Sequence, residues 1–145
     1  MSAAPDTRPL VLVADDDKDI LQLLRLRLEL LGYAVVQAVN GVEALELARE
    51  QEPSLAILDV MMPGLDGLEV VRQLRAGNSR IPVILLTARI QESDVSAGIA
   101  AGADAYLGKP FDAADLRDKV HELLHLVSEV HRIEWLSKVR VGAGI

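Results

Sequence analysis

Residues 10–17 read Leu10-Val11-Leu12-Val13-Ala14-Asp15-Asp16-Asp17, an unbroken apolar run that stops at three aspartates. A strand with one wet face alternates apolar and polar residues. A run without alternation is a strand buried on both faces, the habit of a parallel sheet covered by helices. The pattern repeats outward from there. Lys18–Leu31 is dominated by the helix formers Leu, Arg, Gln and Glu, and Gly32 supplies the C-terminal stop. Ala34–Ala38 (AVVQA) reads as a second strand. Asn40 caps a helix, with Glu43 three residues on as in a capping box, and that helix ends before Pro53. Leu55–Leu58 (LAIL) is a third strand, followed by a Pro- and Gly-rich loop from Asp59 to Gly67. Leu68–Ala76 is helical until Gly77-Asn78 breaks it. Val83–Leu86 is a fourth strand ending at Thr87, and a helix of small residues follows from about Glu92 to Ala101. Ala105–Leu107 is a short fifth strand, and a long last helix starts near Asp112.

Strict alternation of five strands with helices predicts a three-layer α/β fold, a five-stranded parallel sheet with helices on both faces. Ligands bind such sheets outside the carboxyl ends of the strands, near a switch in strand order. The polar residues fall at those ends: Asp15 and Asp16 after the first strand, Asp59 after the third, Thr87 after the fourth and Lys109 after the fifth.

Composition narrows the function. The 145 residues suit one hydrophobic core, and half of them are apolar. With one Trp, two Tyr and one Phe, that core is built from Leu, Val, Ile and Ala. No cysteine is present, so disulfides and thiolate metal sites are excluded. A formal charge of −7 argues against direct nucleic-acid binding, which needs a basic surface. Residues 1–8 read as a flexible N-terminus without the basic-then-apolar layout of a signal peptide. No apolar run approaches the roughly 18 residues of a membrane span. A cytoplasmic location without membrane attachment is the expectation.

Three carboxylates brought together repel one another and raise each other's pKa values. A divalent cation removes the conflict, and an all-oxygen side-chain set without Cys or His favours Mg2+ over Zn2+. Lys109 and Thr87 add a cation and a hydroxyl donor suited to phosphoryl oxygens. Asp15 and Asp16 are neighbours that crowd each other, whereas Asp59 stands alone. It is the better nucleophile, forming an aspartyl-phosphate.

Four strings carry a resemblance over about Pro9 to Leu124: LVADDD at the first strand end, DVMMPGLDG from Asp59 to Gly67, LLTA from Leu85 to Ala88, and GADAYLGKPF from Gly102 to Phe111. In this order and spacing they resemble the receiver domain of bacterial two-component response regulators. The resemblance implies a flavodoxin-like strand order, 2-1-3-4-5, with five helices. It implies that Asp16 and Asp59 ligate Mg2+ directly, that Asp15 acts through water, and that Met61 offers its backbone carbonyl. Asp59 would be the phosphorylation site; Thr87, Ala88 and Lys109 would bind the phosphoryl group; Thr87 and Tyr106 would be the switch. The Lys109–Pro110 bond would be cis. The phosphoryl donor would be a histidine kinase or phosphotransfer protein, and the chain would not be an enzyme in the ordinary sense. Met61 and Arg89 lie where family members vary, at positions thought to tune dephosphorylation.

Two features lie beside that reading. His121-Glu122-Leu123-Leu124-His125 matches the H-E-x-x-H pattern of zinc peptidases, but little chain follows to supply a third ligand and a cleft, and Leu123 and Leu124 read as core or interface residues. The receiver is expected to span 9–126, and 127–145 to form a helical extension and tail. Leu126, Val130 and Ile133 follow Leu123 at coiled-coil-like steps. A homodimer is expected through that last helix or through the face of the fourth helix, fifth strand and fifth helix. Asp104 and Lys119 match charged positions of that face, while Ala105 replaces an acidic one. The chain is expected to be a stand-alone regulator or a receiver cut from a longer protein.

Overall fold

All five residues of β3 (Leu55–Asp59) are buried, and this strand is the middle one of a sheet ordered β2-β1-β3-β4-β5. The structure, a computed structural model, describes residues 7–88 and 92–125, with 92–94 as backbone only. The elements are β1 (Leu10–Ala14), α1 (Lys18–Leu30), β2 (Ala34–Ala38), α2 (Gly41–Gln51), β3, α3 (Gly67–Ala76), β4 (Val83–Thr87), α4 (Glu92–Ala101) and β5 (Ala105–Gly108). A fifth helix, α5, covers 113–125 of the described residues. Every strand pair is parallel. The expected seam of Leu126, Val130 and Ile133, the extension 127–145 and Arg89 lie outside the described residues.

Because successive strand side chains point to opposite faces, each apolar run feeds two cores. Leu12, Ala56, Leu58, Val83 and Leu85 pack with Ala44, Leu45 and Ala48 of α2 and Val70, Val71 and Leu74 of α3. Val11, Val13, Leu55, Ile57, Ile84 and Leu86 pack with Leu21, Leu24 and Leu28 of α1 and Leu116 and Val120 of α5. This double burial explains the absence of alternation in β1, β3 and β4. Each fully buried Leu or Ile contributes about 1.5–3 kcal/mol.

Asp17 caps α1 by accepting from Asp19 N, and Asp66 caps α3 by accepting from Glu69 N at 2.8 Å. At α2 the Asn40 side chain accepts from Glu43 N at 2.8 Å, as expected. The returning Glu43 carboxylate accepts from Val39 N at 3.3 Å, one residue ahead of the cap. Strand ends run slightly past the apolar residues: β3 includes Asp59, β4 includes Thr87 and β5 includes Gly108. Ladder hydrogen bonds continue even further, from Val60 N to Leu86 O at 3.0 Å and from Lys109 N to Thr87 O at 2.8 Å. No helix among the described residues is long and apolar enough to cross a membrane.

Candidate functional site

Register decides what meets at the carboxyl edge. Ala14 pairs with Leu58, so Asp15 comes level with Asp59 on the two strands that flank the switch in strand order. Thr87 pairs with Gly108, and the Lys109 N–H donates to the Thr87 carbonyl, which brings the lysine to the same edge. The Lys109–Pro110 bond is cis.

Asp15 is fully buried and Asp59 nearly so, while Asp16 is exposed. One carboxylate oxygen from each lies within 4.8 Å of the others, the metal-competent cluster found among the described residues. Asp15 Oδ1 accepts from Asp17 N at 2.9 Å, and Asp59 Oδ1 accepts from Met61 N at 3.3 Å. The Lys109 ammonium stands 2.7 Å from Asp15 Oδ2 and 3.3 Å from Asp59 Oδ2. Apart from that ammonium, no donor among the described residues serves Asp15 Oδ2.

Burial raises the Asp59 pKa to about 6; the Asp15 charge adds to the rise, and Lys109 and the Met61 N–H oppose it. Burial works to lower the Lys109 pKa, but its contacts with Asp15 and Asp59 outweigh that and leave it above its ordinary value. Three carboxylates face one ammonium, so a divalent cation would neutralise the formal charge of the cluster. All the side-chain ligand atoms are oxygens, and the buried Asp15 Oδ2 is served by the Lys109 ammonium alone among the described residues, which fits Mg2+. Asp15, Asp16 and Asp59 would hold it. Met61 is 78% exposed at the rim, and its neighbour Met62 is buried.

The other expected residues fall around this cluster. Thr87 is buried at the last position of β4, and Ala88 follows it exposed. Tyr106 is partly buried on the α2–α3 side of the sheet, opposite to the face taken by Leu107. His121 and His125 are exposed on α5, whereas Leu123 and Leu124 pack against the α1–α5 core. Asp104 accepts from Val83 N at 2.8 Å and from Arg75 at 3.1 Å, so this acidic side chain is engaged within the chain.

Two glycines also shape the site. A Cβ on Gly67 would strike the carbonyl of Asp59, with the carbonyl carbon at 3.0 Å. A Cβ on Gly41 would strike the Leu65 carbonyl. Both glycines let the loop after β3 lie flat against the starts of α2 and α3. Glycine beside a helix start was the only signal in the sequence, and it did not distinguish close approach from turn chemistry.

A family model described as the response regulator receiver domain matches residues 11–121. Response regulator MprA of Mycobacterium sp. (strain KMS) is 48% identical over 118 residues, 81% of this chain and 51% of that protein. Transcriptional regulatory protein PrrA of Mycobacterium tuberculosis (strain ATCC 25618 / H37Rv) is 49% identical over 118 residues, again 81% and 51%. The chain thus spans about half the length of the curated relatives it matches. The Francisella response regulator 1452 receiver domain superposes with a TM-score of 0.79 at 38% identity, covering 83% of this chain and 99% of that one. The receiver domain of sensor histidine kinase PA1611 from Pseudomonas aeruginosa PAO1, described with a magnesium ion coordinated in its active site cleft, gives 0.76 at 30% identity, covering 82% and 99%.

Proposed function

The chain belongs to the response regulator receiver family, and on that premise we propose that Asp59 accepts a phosphoryl group from a histidine kinase or phosphotransfer protein with Mg2+ as cofactor. The observation that carries this reading is the Lys109 ammonium set between Asp15 and Asp59 where β1 and β3 end together. Receiver domains are signalling domains and not conventional enzymes, so the chemistry asked of the chain is positioning and charge neutralisation.

Asp59 has a more basic carboxylate than an exposed aspartate, yet it is mostly ionised at neutral pH. One of its oxygens forms a bond to phosphorus while the phosphorus–nitrogen bond to the donor imidazole breaks, and the imidazole nitrogen takes the electron pair. Lys109 stays by the transferred group and pairs with its oxygens. Thr87, last in β4, adds a hydroxyl donor, and Ala88 leaves room beside it. Asp15 and Asp16 would hold Mg2+ with Asp59 and the Met61 carbonyl. Bound there, Mg2+ supplies the positive charge that lets an anionic phosphoryl group approach three carboxylates. Phosphorylation then shifts an existing equilibrium through Thr87 and Tyr106 by contacts made in one state and not the other.

Phosphoramidate, a small donor with the same phosphorus–nitrogen bond, tests the reading. With Mg2+ it should yield a hydroxylamine-sensitive acyl phosphate on the peptide carrying Asp59. A stable, hydroxylamine-resistant phosphate elsewhere would overturn the assignment.

A further inference from the structure

Tyr106 does not merely point toward α4; its ring occupies the place of a missing side chain. A Cβ built on Gly98 would fall on the Tyr106 hydroxyl and on Cζ, and would lie 2.8 Å from Cε2. Gly98 is buried and sits well inside α4, three residues before its end at Ala101. Glycine there is unfavourable, since it gives up more backbone freedom than any other residue and has the lowest helix propensity after proline. Its neighbours show what the helix would otherwise take: Ala97, Ala100 and Ala101 surround it. The Gly98 carbonyl accepts from Gly102 N and Ala103 N at 3.1 and 3.0 Å, which an alanine would do equally well. Its φ is not among the positive values of the chain, so the backbone does not demand glycine. The Tyr106 ring does.

We propose that Gly98 is a positioning residue for the switch: its bare Cα is the slot in α4 that receives Tyr106, and it sets how much of the time the ring rests there. The ring fills the slot whatever the chain signals; the link to signalling rests on the phosphoacceptor reading above. Tyr106 pairs in register with Leu85, two residues before Thr87 on the neighbouring strand. Movement of the ring out of the slot is therefore a route by which changes near Thr87 reach α4. Filling the slot with a methyl group, Gly98→Ala, displaces the ring without touching any residue of the acidic cluster.

The experiment uses the full chain with fluorinated tyrosine. Tyr33 and Tyr106 are the two tyrosines, so in a Tyr33→Phe background the fluorine resonance reports Tyr106 alone. Gly98→Ala should move that resonance toward the position of a solvated tyrosine and enlarge its solvent isotope shift. Acetyl phosphate with Mg2+ should then move the wild-type resonance and leave the variant's, already displaced, in place. A variant resonance that coincides with wild type before and after treatment overturns the proposal.

Thermal unfolding supplies the control for a variant that folds poorly. Gly98→Ala should lower the midpoint when Tyr106 is present and raise it in a Tyr106→Ala background, where only helix propensity remains. Shifts of the same sign in both backgrounds, or a double variant that fails to fold, also overturn it. Intact mass on the same samples separates the two ideas. An adduct on wild type with a variant resonance that coincides with that of wild type before and after treatment defeats the slot alone. No adduct on wild type defeats the phosphoacceptor reading, while the unfolding comparison still decides the slot.

Discussion

Lys109 Nζ and Asp15 Oδ2 are 2.7 Å apart, and this ammonium is what that fully buried oxygen has for a partner. The lysine is closer to Asp15 than to Asp59, at 3.3 Å. It therefore does two things: it compensates a buried charge and stands beside Asp59, the proposed acceptor.

Replacing Lys109 with Met should remove both. Breaking a buried pair from one side leaves an uncompensated charge, costing about 3–5 kcal/mol in a dry interior. Lys109 is one-fifth exposed, so a loss of about 1–3 kcal/mol is expected from denaturant unfolding without divalent ions. Mg2+ should restore much of the stability but not the phosphorylation rate. Equal recovery of both would remove Lys109 from the phosphoryl-binding set.

Asp59 gives a pH signature of known sign. Its pKa is raised from 3.8 to about 6, with burial the largest cause. The folded chain binds that proton more tightly than the unfolded chain, so this group's contribution to stability falls as pH rises from about 4 to about 6. Above that window the carboxylate is charged in both states and the penalty, on the order of 1–3 kcal/mol, is fully present. Asp59→Asn should accordingly unfold at a higher midpoint than wild type near neutral pH without divalent ions, the difference vanishing at acid pH. Mg2+ should stabilise wild type more than the variant. A wild type that gains stability relative to Asp59→Asn across the same pH rise would contradict the charge crowding.

Gly67→Ala tests the loop that carries Met61. The Cβ would press on the Asp59 carbonyl, and overpacking of that kind costs about 1–3 kcal/mol. Because the pressed group belongs to Asp59, the proposed acceptor, phosphorylation with Mg2+ should slow more than in Val71→Ala, a core variant of similar stability loss. Equal rates in the two variants would show the loop to be only structural.

Arg75 ties α3 to the chain before β5. It donates to Gly102 O at 3.1 and 2.9 Å, to Ser79 O at 3.0 Å and to Asp104 at 3.1 Å. Arg75→Met should cost about 1–3 kcal/mol through the acceptors left without donors, with faster amide exchange at Val83, whose N–H is held by Asp104. Unchanged protection at Val83 would mean that Asp104 keeps its place without the arginine.

The sheet and the acidic edge were legible because both rest on rules of short range. An apolar run without alternation announces a strand buried on both faces, and the residue after such a run lands at a strand end. Asp15, Asp59 and Thr87 could be placed that way, and the family strings supplied the strand order. The partnership of Arg75 with Asp104 was not legible: 29 residues separate them, and nothing local marks either as the other's partner. Gly98 was hidden for the same reason, because a glycine among alanines reads as a weak helix until the Tyr106 ring is seen across it. H-E-x-x-H on α5 shows the converse, a local pattern whose intervening leucines pack against the core.

Whether Asp59 is the phosphoacceptor is decided by intact-protein mass after incubation with acetyl phosphate, with and without Mg2+, beside Asp59→Ala. One added phosphoryl group that requires both Mg2+ and Asp59 is the predicted result. An adduct that survives in Asp59→Ala, or none on wild type even at early times, would contradict it.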